Sequence, residues 1–231
     1  MEMERDDRFV SLLKAFDLHG NATLAEIRKA YLEKTSQVKF QRVILSDENL
    51  RNEFCRYHET YLRILKYFSE LETPIRSDIY TSEQTSKFFF NQGVYDLCKE
   101  NYLQAGEKLH NAYNLNKENI VLLIYLGVFL LKRKSFNAAE KFLLDALKMD
   151  QNNDDAWYYA GENYFKAGRY LKAIEYFETA RTLNPSRQEV AFRIKESREG
   201  LLRKPGKGAQ DTILKKIVNY VKDAFGDHKP S

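Results

Sequence analysis

The residues most apt to do acid–base, metal or thiol chemistry in this chain are four histidines, two cysteines and 33 carboxylates. His19, His58, His110 and His228 are scattered, and none forms a His-x3-His pair or stands beside an obvious metal carboxylate. Ordinary surface or capping roles are expected for them. Cys55 and Cys98 are the only cysteines, and their spacing fits neither a disulfide framework nor a zinc site, which needs about four nearby ligands. A reducing cytosol is the default that follows. The sequence has no nucleophile elbow, no phosphate-cradling Gly-rich loop and no carboxylate pair that spacing singles out. Lys99-Glu100 and Glu140-Lys141 read as solvated helix faces. The expectation is a protein without catalysis, metal or other cofactor.

Recognition is the remaining class of function, and the composition says what kind of scaffold would carry it. Hydrophobic residues make up 43% of the 231, against 10 Gly and 4 Pro, which argues for packed helices over disorder or a turn-rich β fold. The opening Met1-Glu-Met-Glu-Arg-Asp-Asp-Arg8 is charged, unlike a signal peptide. The longest apolar run, Ile120 to Leu131, is about 12 residues against the roughly 20 that span a bilayer. A cytoplasmic protein with no integral membrane segment is expected. The net charge of +4 sits in the tail, where residues 188–231 hold ten Lys or Arg against six Asp or Glu. That is too little for the dense basic stripe of a nucleic-acid binder.

The organising feature is a period of 34. Aligning residues 86–119, 120–153 and 154–187 superposes Gly93, Gly127 and Gly161, then Ala105, Ala139 and Ala173, then Ala112, Ala146 and Ala180. Three identical small-residue columns at one period predict three helix-turn-helix units. The small residues let the two helices of a unit approach closely, while Phe89, Leu123, Trp157, Leu109, Leu143 and Phe177 fill the contact. Pro185 starts a closing loop that Lys117 and Gln151 have lost.

These residues resemble the tetratricopeptide repeat, most closely in Trp157-x2-Ala160-Gly161-x2-Tyr164 with Ala173, Phe177, Ala180 and Pro185. The resemblance implies an all-α right-handed solenoid whose first helices line a concave groove. By that analogy the groove takes Lys87, Phe90, Val94, Leu97 and Cys98 from the first unit. The second gives Val121, Ile124, Val128, Leu131 and Lys132, and the third Asp155, Tyr158, Glu162, Phe165 and Lys166. Relatives that clamp the acidic tail of chaperones use Lys, Asn and further basic residues where this chain has Phe90, Val94, Asp155 and Tyr159, which argues against a carboxylate clamp. A mostly apolar floor suits an amphipathic helix or extended apolar segment, with Phe90, Tyr158 and Phe165 as anchors.

The flanks complete the architecture. Residues 188–202 read as a solvating cap, with Val190, Ala191, Ile194 and Leu201 at helical spacing, Lys195 in place of the repeat's Gly, and Arg193, Glu196, Arg198 and Glu199 outward. Residues 204–208 form a Pro- and Gly-bearing hinge. Beyond it, 209–226 is an amphipathic docking helix carrying Ile213, Leu214, Ile217, Tyr220, Val221 and Phe225.

Residues 1–75 read as three helices, the first marked by Phe9 and Leu13, the second capped at Asn21 or Thr23, the third running from about Asp47 to Glu72 and ended by Thr73-Pro74. Residues 76–85 are the linker to the repeats. Leu12-Leu13-x2-Phe16-Asp17-Leu18 followed by Ala25-Glu26-Ile27-Arg28-Lys29-Ala30-Tyr31 resembles the opening helices of a J-domain. The His-Pro-Asp tripeptide of a working J-domain is absent, and Lys39-Phe40-Gln41 stands in its place. The resemblance therefore implies the fold without ATPase stimulation.

The sequence thus points to a non-catalytic adaptor or scaffold, bacterial in character, binding protein partners through its groove and leaving homo-oligomerisation open. Two alternatives stand beside it: a chaperone or co-chaperone shielding an apolar client segment, as small secretion chaperones do, and a membrane-peripheral organiser recruited through 209–226.

Overall fold

The computed structural model of the chain describes residues 7–41, 47–70 and 81–203. The expected hinge and docking helix, and the end of the third helix at Thr73-Pro74, lie outside them. The chain divides into two compact units, Met1–Gln151 and Asn152–Ser231.

The first unit opens with α1 (Asp7–Leu13), a 3-10 turn (Lys14–Phe16), α2 (Leu24–Gln41) and α3 (Glu48–Glu70). Of the two caps expected for α2, Thr23 is the one used. Its hydroxyl accepts from Glu26 N at 3.3 Å while Glu26 Oε2 accepts from Thr23 N at 2.7 Å, a reciprocal capping box. Asp47 caps α3 by accepting from Leu50 N at 3.0 Å. Phe9, Leu13, Phe16, Ile27, Tyr31, Tyr61 and Ile64 form the core these helices share, with the Tyr31 and Tyr61 rings stacked at 4.1 Å. His58 belongs to this core and not to the surface: it is buried and shares a 2.5 Å hydrogen bond with the Tyr31 hydroxyl. It stands one turn from both Phe54 and Tyr61, so it lies on the buried stripe of α3.

Hairpins follow: α4 (Ser82–Cys98) with α5 (Tyr102–Leu115), and α6 (Ile120–Lys132) with α7 (Phe136–Met149). The second unit repeats the pattern with α8 (Asp154–Lys166) and α9 (Tyr170–Leu183), followed by α10 (Gln188–Arg203). The first hairpin starts four residues before the expected boundary of 86. The cause is a capping box at Thr81, which accepts from Gln84 N at 3.2 Å and donates its own N–H to Gln84 Oε1 at 3.3 Å. Residues 82–85 are therefore helix, not linker.

Each hairpin closes at the expected small residues. A Cβ built on Gly93, Gly127 or Gly161 would fall 2.7, 2.5 or 2.6 Å from a side-chain atom of Leu109, Leu143 or Phe177. Both alanine columns are completely buried. The turns share a feature that identity of residues does not reveal. Glu100, Lys134 and Gly168 occupy the same place in the period and all have left-handed backbones, with φ of 60°, 58° and 73°. After each, the next N–H reaches back five residues: Asn101 to Asp96 O, Ser135 to Leu130 O and Arg169 to Tyr164 O, at 2.8–2.9 Å. The left-handed residue itself donates to the carbonyl three before it, which completes a Schellman motif in every hairpin.

On α10 the buried residues are Val190, Ile194, Ser197 and Leu201, whereas Ala191 faces solvent. Close approach in this helix falls at Gly200, where a Cβ would meet the Tyr170 ring at 2.7 Å.

Candidate functional site

In the first unit, the residues expected to floor a groove are mostly occupied by packing. Phe90, Val94, Leu97, Ile124, Val128 and Leu131 are all buried, and Phe90 meets the Tyr125 ring edge-on at 5.2 Å. Val121 and Cys98 are half-buried. Lys87 pairs with Glu83 at 2.7 Å, and Lys132 is exposed. The reason lies in the make-up of α6, Ile-Val-Leu-Leu-Ile-Tyr-Leu-Gly-Val-Phe-Leu-Leu-Lys, apolar on every side and hence surrounded on every side. A ligand using this floor would have to displace those contacts.

The second unit differs. Asp155, Tyr158 and Glu162 lie on one stripe of α8 and meet two arginines that sequence reasoning had not joined to them. Arg187, in the turn before α10, has a side chain only 3% exposed and donates to Asp154 at 3.2 Å, Asp155 at 2.8 Å and Glu189 at 3.0 Å. Its guanidinium lies 3.9 Å over the Tyr158 ring, a cation–π stack of the kind that desolvation strengthens. Burial alone would lower the pKa of Arg187, but the neighbouring Asp155 carboxylate outweighs it and the net shift is upward. The only advance signal was Asp154-Asp155 at a helix start, which reads as complementing the helix dipole.

Arg193 is the second. Expected on the cap's outer face, it turns inward to pair with Glu162 of α8 and with Glu196 at 2.6 Å, and it lies 5.4 Å over the Phe165 ring. Glu162 Oε1 is charge-paired to Arg193 Nε without a well-aligned hydrogen bond. Burial raises the pKa of Glu162 despite the arginine, and burial followed by the Glu162 charge raises that of Tyr158. Arg198 reaches α9, donating to Glu178 at 3.2 Å. Phe165 is half-buried and Lys166 exposed.

On α10, Phe192 is exposed between half-buried carboxylates. Glu189, Phe192, Glu196 and Glu199 recur at three- and four-residue steps and so share a stripe. Phe192 is 58% exposed. Among the described residues no group of three or more His, Cys, Asp or Glu is placed to hold a metal ion. None of their helices is long and apolar enough to cross a membrane.

Comparison with known proteins agrees with the hairpin geometry. Residues 154–187 match the family model described as tetratricopeptide repeat. Superkiller protein 3 of Schizosaccharomyces pombe (strain 972 / ATCC 24843) is 35% identical over 69 residues, which are 30% of this chain and 5% of that protein. The chain thus spans a small fraction of that relative. Among solved structures, the Arabidopsis OM64 TPR domain superposes with a TM-score of 0.50 at 21% identity, covering 52% of this chain and 98% of its own. MamA AMB-1 superposes with a TM-score of 0.52 at 15% identity, covering 90% of this chain and 93% of its own. At these identities the likeness speaks for the fold. Coverage of 90% exceeds what residues 86–231 alone could supply, so the likeness to MamA reaches into the helices before the first hairpin.

Proposed function

We propose that this tetratricopeptide repeat protein is a non-catalytic interaction scaffold that binds an amphipathic protein segment on the α8 and α10 face of its second unit. The observation that carries the reading is Phe192, a large exposed aromatic residue that shares its helix stripe with Glu189, Glu196 and Glu199. An exposed aromatic anchor on a stripe of glutamates suits a segment that brings an apolar side chain flanked by Lys or Arg. The buried ion pairs hold α10 on α8 and keep the stripe in place before a ligand arrives. The N-terminal helices are read as a further docking module without ATPase stimulation, since Lys39-Phe40-Gln41 replaces the required tripeptide and belongs to α2.

The test is fluorescence anisotropy with two synthetic amphipathic helices that differ only in bearing Lys or Glu on the polar face. The Lys peptide should bind and weaken as salt rises, and Phe192→Ala should weaken it about tenfold, the loss of roughly 1.4 kcal/mol. Equal affinity for both peptides, or an unchanged affinity in the variant, would refute the reading.

A further inference from the structure

Cys55 and Cys98 lie far apart in sequence yet face each other across the α3 and α4 interface. The register is fixed by a ladder of contacts in which residue numbers rise along α3 as they fall along α4. Tyr61 meets Phe88 at 6.1 Å, His58 meets Tyr95 at 4.6 Å, and Tyr95 donates to Glu59 at 3.1 Å. One turn beyond the His58 and Tyr95 rung, the next residues on the two facing stripes are Cys55 and Cys98. Lys99 seals the same rung by pairing with Glu59 at 3.0 Å and lying 5.4 Å from the Tyr95 ring centre. Both thiols are free and neither is fully buried.

The surroundings bear on reactivity. A cavity of about 70 Å³ opens beside Cys98, lined by Arg51, Leu97, Glu100, Tyr102 and Lys132. Arg51 is one turn before Cys55 on α3, so one guanidinium borders both thiols' surroundings. The cavity has room for a small oxidant on the Cys98 side of the pair, and Cys55 itself is half-buried and not sealed off. A hydrogen bond from Cys98 lowers the pKa of Cys55, with Lys99 and Arg51 acting in the same direction against burial and Glu59. The same hydrogen bond raises that of Cys98, and burial adds to it. Cys55 is thereby the better thiolate and Cys98 the proton donor.

We propose that Cys55 and Cys98 are a modification site, a dithiol that hydrogen peroxide converts to a disulfide joining α3 to α4. The Cys55 thiolate attacks one peroxide oxygen, the O–O bond breaks, and hydroxide leaves to take up the thiol's proton as water. Cys55 is then a sulfenic acid. Cys98 sulfur attacks the Cys55 sulfur, the S–O bond breaks, and the departing hydroxide carries off the Cys98 proton as a second water. Two thiols and one peroxide become one disulfide and two waters, sulfur being oxidised and peroxide oxygen reduced. The bond ties the N-terminal helices to the first hairpin at the open end of their contact ladder.

The test treats full-length protein with hydrogen peroxide and then with dithiothreitol. Peroxide should remove both titratable thiols from the monomer, reduce its mass by two hydrogens, yield a Cys55 and Cys98 cross-linked peptide, and raise the thermal midpoint, all reversed by the reductant. Cys98→Ser should leave a sulfenic acid on Cys55 that dimedone traps, and Cys55→Ser should slow peroxide consumption at least tenfold. The proposal fails if both thiols survive, if they oxidise separately without the cross-linked peptide, or if the disulfide joins two chains.

Discussion

Three residues at one place in the period carry a left-handed backbone, and only one of them is glycine. A side chain at positive φ costs roughly 1 kcal/mol because Cβ crowds the following carbonyl. Glu100 and Lys134 bear that cost, and Gly168 does not. Nothing lies within 4 Å of a Cβ placed on Gly168, so conformation alone decides the effect there. Lys134→Gly is expected to stabilise the protein by about 1 kcal/mol and Gly168→Ala to destabilise it by about as much. Denaturant melts of the two variants check this. If Lys134→Gly were destabilising, the Schellman turns would owe their shape to the side chains and not to the backbone.

At the scale of the element, the hairpins depend on a contact in which one helix carries no side chain. A Cβ on Gly161 would lie 2.6 Å from Cδ1 of Phe177, a fully buried ring with nowhere to retreat. Gly161→Leu should therefore destabilise the second unit by about 1–3 kcal/mol or more, as overpacking does. Its thermal midpoint would fall relative to wild type, and an unchanged midpoint would contradict the close approach. These hairpins were legible because Gly and Ala columns repeat without variation. The start of α4 was not, because Thr81-x-x-Gln84 precedes the apolar pattern and reads locally like any polar stretch.

For the whole molecule, the docking role proposed for the N-terminal helices is set against the activity of a working J-domain, which stimulates the ATPase of a DnaK-type chaperone. Lys39-Phe40-Gln41 continues α2 to its end, so neither the chemistry nor a loop for a His-Pro-Asp tripeptide is present there. No stimulation of a DnaK-type ATPase is expected at stoichiometric protein. A clear rate increase in a steady-state phosphate-release assay would overturn that and reopen the J-like reading as an activity.

Periodicity is local information, and it determined the helical class, the three hairpins, the small-residue contacts and the helix after them. Pairing between distant residues is not local, and tertiary structure alone decided it. His58 is a core residue because Tyr31 stacks on Tyr61 beside it. Arg193 faces inward because Glu162 on a neighbouring helix offers a buried countercharge. The apolar floor expected to be open in the first unit is packed, since a helix apolar on all sides draws neighbours to each of them. Cys55 and Cys98 meet only through the antiparallel register of α3 on α4, which no spacing rule encodes, because chain separation says nothing about which faces two helices will share.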